Sequence, residues 1–123
     1  MRIRIDHSTT YSYDRAARFI IQTLRLTPRT SESQTVRGWR IETDVDARLR
    51  QSEDAFGNIV HALYTEQPTA SLTVRVTGEV TTVDTAGVVR AGHEQLSPIV
   101  YLRDTPLTKP DKLIAVFASE FKA

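Results

Sequence analysis

A chain of 123 residues, 40% hydrophobic and 25% charged, has the size and make-up of one globular domain that closes its core without cross-links. Its 16 basic residues are interleaved with 15 acidic ones for a net charge of +1, with no basic block to track phosphates, so nucleic-acid binding is not expected. Cysteine is absent, which removes disulfides, thiolate metal sites and a cysteine nucleophile from this polypeptide.

The first element is an alternating run. Over residues 1–13 the odd positions carry Met1, Ile3, Ile5, His7, Thr9, Tyr11 and Tyr13 against polar even positions, the period of a half-buried strand, bent midway. This opening lacks the continuous apolar stretch of a signal peptide, and nothing later reaches membrane-spanning length, so the expectation is a cytoplasmic protein without a membrane partner. Asp14, Arg15 and Ala16 read as a turn. Residues 19–27 resume a strand, with Ile20, Leu24 and Leu26 on one parity, until Pro28 and the polar residues 30–35 end it. In residues 36–45 Trp39 and Ile41 share one face and Arg40 and Glu42 the other, and residues 48–53 form a fourth, weaker run.

The stretch Glu53-Asp54-Ala55-Phe56-Gly57-Asn58 reads as a hairpin loop. Asp54 can bond its own downstream backbone, Gly57 takes a positive φ without a Cβ penalty, and Asn58 tolerates the same left-handed region. Residues 59–65 carry apolar side chains on both parities, as a central strand covered on both sides does. Leu72, Val74, Val76 and Val80 then alternate with Thr73, Arg75, Thr77 and Glu79, and a parity slip at residues 80–83 marks a bulge or the strand's end. Six strands bounded by turn signals, with no helix between them, give a mainly β fold: an antiparallel β-sandwich or barrel-like sheet.

Residues 84–108 have no clean period. Gly87, Gly92, Pro98 and Pro106 mark a long irregular connection, and residues 99–102 are the part expected to pack. One C-terminal helix follows, with Thr108 as N-cap, Asp111 completing a capping box and Pro110 in the first turn. Leu113, Ile114, Phe117, Ala118 and Phe121 share a face, which either covers the chain's own sheet or leads into a further domain. The expected division is a β-sandwich over residues 1–109 and a helix over residues 110–123.

Candidate chemistry is sparse. His7 lies on the apolar parity and reads as a hydrogen-bonded core histidine. His61, seven residues after Asp54, lies where a contact across the hairpin can pin the loop. With His93 the three histidines share no metal-ligand spacing, so no metal is expected. The serines lack a Gly-x-Ser-x-Gly elbow, and no glycine-rich phosphate loop follows a strand, so neither a catalytic residue nor a cofactor is assigned. Asp44 with Asp46, and Glu53 with Asp54, sit beside turns and read as solvated carboxylates. Tyr11 and Tyr13 at alternate positions read as core aromatics.

Four stretches, in this order and spacing, carry a family resemblance: His7-Ser-Thr9-Thr-Tyr11-Ser-Tyr13-Asp14, Leu24-Arg-Leu26-Thr-Pro28, Asp54-Ala-Phe56-Gly57-Asn58 with His61, and Tyr101-Leu-Arg-Asp104-Thr105-Pro106-Leu-Thr108. The chain resembles the N-terminal region found ahead of the catalytic domain in bacterial transglutaminase-like proteins, which are described as cysteine-protease-like. The resemblance implies an accessory β-rich domain, with catalysis downstream by a cysteine thiolate, a histidine that shuttles the proton and an aspartate that orients it. That machinery has no counterpart here, and His61 and Asp54 belong to the structural signature.

The expected partner is therefore a downstream transglutaminase-like catalytic domain of the same polypeptide, with Asp104, Thr105, Pro106, Leu113, Phe117 and Phe121 at the junction. The alternative is a stand-alone sandwich that binds a peptide, glycan or partner protein. An exposed sheet edge or helix face also offers a route to a homodimer of the isolated domain.

Overall fold

The computed structural model describes residues 1–88 and 96–121. His93 and Gly92 lie outside the described residues. Six strands, β1 (Arg2–Ala17), β2 (Ile20–Thr27), β3 (Gln34–Thr43), β4 (Arg48–Glu53), β5 (Ile59–Thr65) and β6 (Thr69–Thr82), precede two short helices, α1 (Pro98–Leu102) and α2 (Lys112–Ser119). The strands form two antiparallel three-stranded sheets, ordered β1-β6-β3 and β2-β5-β4. The fold is a mainly β sandwich, and the sheets do not close into a barrel.

Alternation decides what each sheet turns inward. On β6 the even positions Leu72, Val74, Val76 and Val80 are buried; on β2 and β5 Ile20, Leu24, Leu63 and Thr65 are buried on the inward parity, and Val60 is buried on the other. Leu63 and Leu72, one from each sheet, are fully buried at the centre, and Tyr13, Ala17, Ile41, Val45 and Ala47 pack around the same cluster. Each such leucine contributes about 1.5–3 kcal/mol relative to exposure. Three contacts pair polar groups at the margin: the Ile20 amide donates to Thr65 Oγ1 at 2.9 Å. The Trp39 indole donates to the Leu26 carbonyl at 2.8 Å, joining β3 of one sheet to β2 of the other. Asp44 accepts from the Thr73 amide at 2.7 Å, a bond that holds its carboxyl below the ordinary value.

Three local expectations change, and one open alternative, at residues 80–83, resolves. Asp14, Arg15 and Ala16 lie within β1; between Ser12 and Ala17 its register with β6 shifts, because extra residues are absorbed as a bulge and the turn comes only after Ala17. The parity slip at residues 80–83 is the end of β6 at Thr82. Residues 99–102 are helical, with Ile99 74% and Leu102 80% exposed, so the expected packing of this stretch comes down to Tyr101, whose ring meets Phe56.

The second helix starts later than the capping box suggests. Asp111 is its N-cap and accepts from the Ile114 amide at 2.8 Å, whereas Thr108 is bonded into a turn with Thr105. No residue of α2 is buried, so its apolar face does not cover the sandwich.

Candidate functional site

Residues 54–58 join β4 to β5, which pair in register from Glu53 opposite Ile59 to Arg48 opposite Tyr64. The Asp54 amide donates to the Asn58 carbonyl at 3.0 Å and the Gly57 amide to the Asp54 carbonyl at 2.9 Å. Gly57 has φ +78° and is buried, so it supplies the left-handed residue this closure requires. Asn58 is not left-handed; it acts through its side chain.

Four donors converge on the Asp54 carboxylate. Oδ1 accepts from the Phe56 and Asn58 amides, and Oδ2 from Asn58 Nδ2 and Arg25 Nε, each at 3.0 Å. The Asn58 side chain is the largest cause of a carboxyl held down to about 2, with the Asn58 amide, Arg25 and the Phe56 amide assisting and partial burial opposing. Arg25 belongs to β2, so this carboxylate also ties the hairpin end to the neighbouring strand. Beside it Arg29 pairs with Glu53. A carboxylate so held is a poor proton acceptor at neutral pH and a good structural anchor.

His61 does not meet Asp54. Its odd parity on β5 turns the ring inward, into a cleft of about 290 Å³ between the sheets lined by Thr27, Trp39, Ile41, Leu49 and Gln51. Its Nδ1 is buried without a hydrogen-bond partner among the described residues. The other histidine behaves differently. His7 takes the inward parity opposite Val76, but β1 is an edge strand, so the ring is exposed and approaches Thr9 Oγ1 at 3.2 Å. His7, Thr9 and Tyr11 line a smaller crevice of about 150 Å³ with Leu24 and Leu26. Tyr13 is half-buried against the core, whereas Tyr11 is 41% exposed.

Phe56, at the loop tip, is 53% exposed and meets Tyr101 of α1 edge to face, with ring centroids 6.0 Å apart. Two of the stretches singled out in the sequence therefore touch. Thr105 caps a turn through mutual bonds with Thr108, beside the exposed Asp104 and Pro106. Leu113, Phe117 and Phe121 are also exposed, with the two phenylalanine rings 5.1 Å apart.

Among the described residues no three His, Asp or Glu side chains gather as a metal site, and no helix is long and apolar enough to cross a membrane. Sequence reasoning missed two features. One is Arg25 as a partner of Asp54, an ordinary strand arginine until the hairpin end is placed beside it. The other is the outward surface of β2-β5-β4 around Ile21 and Tyr64, for which the hints are the consecutive Phe19, Ile20 and Ile21 and the apolar residues on both parities of residues 59–65.

Residues 3–81 match the family model described as the bacterial transglutaminase-like N-terminal region. The match starts in β1 and stops one residue before the end of β6, so it covers the sandwich and leaves out both helices. An uncharacterized protein of Mycobacterium leprae (strain TN) is 38% identical over 73 residues, which are 59% of this chain and 26% of that protein. The matched stretch thus spans about a quarter of that relative's length. No solved structure matches the chain.

Proposed function

The chain belongs to the family of bacterial transglutaminase-like N-terminal regions, and from that premise we propose that it is a non-catalytic accessory domain that packs against and positions a downstream Cys-His-Asp catalytic domain. The observation that carries the proposal is the family match over a sandwich that holds no cysteine. The nucleophile of a transglutaminase-like amidase or cysteine peptidase has to come from other chain. The M. leprae relative, of which the match covers 26%, has room for such a domain.

The signature residues support the same reading. Asp54 is saturated by four donors and His61 Nδ1 has no hydrogen-bond partner among the described residues, so neither is arranged to activate a nucleophile. In the proposed parent protein the sandwich contributes position: it holds a rigid wall beside the catalytic domain while the thiolate attacks an amide carbonyl there.

The test has two parts. The 123-residue chain should neither deamidate nor transamidate a glutaminyl peptide, and turnover that thiol reagents leave untouched would overturn the proposal. The reading frame beyond Ala123 should encode a cysteine, then a histidine, then an aspartate. A stop codon there would overturn it as well.

A further inference from the structure

The two sheets finish their outer faces in opposite ways. On β1-β6-β3 the outward rows pair Arg4 with Glu79, Asp6 with Thr77, Ser8 with Arg75 and Thr10 with Thr73. Arg2 forks onto Glu79 and Arg75 onto Asp6, so this face is polar along its length. That is the face of a sheet that meets water.

On β2-β5-β4 one outward row is Ile21, Tyr64 and Arg48, and the next is Thr23, Ala62 and Arg50. Ile21 is 64% exposed, and Phe19 just before it is 66% exposed. With Tyr64 they line an open depression of about 430 Å³ rimmed by Arg48, Arg50 and Glu66. Arg48 pairs with Glu66 at 3.5 Å, and Arg50 has no ion-pair partner among the described residues. No residue of either helix lines this depression. A contiguous apolar patch with a charged rim is the pattern of a protein contact.

The way out of the sandwich points to the occupant. Tyr101 of α1 packs on Phe56 at the tip of the β4–β5 hairpin, so the chain that follows β6 is held at the end of this sheet where Glu53 faces Ile59, and the Ile21–Tyr64–Arg48 row lies at the other end of the same sheet. We propose that the outer face of β2-β5-β4, centred on Ile21 and Tyr64, receives the following domain of the same polypeptide through an apolar patch with a carboxylate opposite Arg50. This rests on the accessory-domain reading and names its docking surface.

Two tyrosines make the test specific. Tyr11 and Tyr64 are similarly exposed in the sandwich, at 41% and 37%, but lie on different sheets. Hydroxyl-radical footprinting of the full-length polypeptide should show loss of Tyr64 oxidation while Tyr11 stays reactive. In calorimetry the full-length protein should unfold in one transition, which Ile21→Asp or Arg50→Glu splits in two and Thr10→Asp, on the polar sheet, leaves single. Tyr64 as reactive as Tyr11, or a single transition kept by both variants, overturns the docking face and leaves the accessory-domain reading standing. Two independent transitions in the unaltered protein overturn that reading and this inference with it.

Discussion

Asp54 carries more of the loop than any other side chain, because one carboxylate satisfies two amides, an amide side chain and a guanidinium from another strand. Its folded-state value is depressed from 3.8 to about 2, so the unfolded chain binds the proton more readily. The stability it lends is complete above the ordinary value and is lost as pH falls through about 2. A carboxyl-detected NMR titration should therefore give Asp54 a midpoint near 2, and Asp54→Ala should weaken the acid dependence of unfolding in that window; a midpoint at 3.8 would mean the donors are not in place. Gly78 is a second residue with a single-atom role. A Cβ there would run into the Trp39 ring and come within 2.7 Å of the Gly38 carbonyl oxygen. Gly78→Ala should cost about 1–3 kcal/mol in denaturant titrations, the usual range for overpacking, and should shift the emission of the only tryptophan.

At the scale of elements, strands and helices differ in what they depend on. Leu72 on β6 is fully buried against the opposite sheet, so Leu72→Ala should destabilise the sandwich by about 2–5 kcal/mol. Asp111 caps a helix that buries nothing. Asp111→Ala should fray α2, at a local cost of about 1 kcal/mol, while the thermal midpoint followed by Trp39 emission stays where it was. A shared loss of both signals would show that α2 is packed on the sandwich. The strand positions were legible because period two and turn chemistry are local: residues 48–53, the loop and residues 59–65 lie where alternation and Gly57 place them. The turn assigned to residues 14–16 was not, because Asp, Arg and Ala carry turn-like polarity equally well on a bulged edge strand.

For the whole molecule, closure depends on pairing of the first strand with the last. Arg2 pairs opposite Thr81, and the Met1 ammonium donates to the Thr82 carbonyl at 2.5 Å. A topology dominated by such distant pairings should fold in milliseconds to seconds, and stopped-flow refolding monitored by Trp39 would contradict it with a microsecond phase that recovers the full signal.

Much of this protein was written in its local pattern. Alternation set the strands and their inward sides, Gly57 set the hairpin, and the absence of cysteine excluded thiol catalysis within the chain. Assembly decided the rest, since a period of two tells which side a residue faces and not what stands opposite. His7 points inward yet is exposed because its strand is an edge. His61, so close to Asp54 in sequence, faces a cleft while Arg25 from another strand takes the carboxylate. The bare outer face of β2-β5-β4 became visible only once the other sheet, with its ion-paired exterior, supplied the comparison.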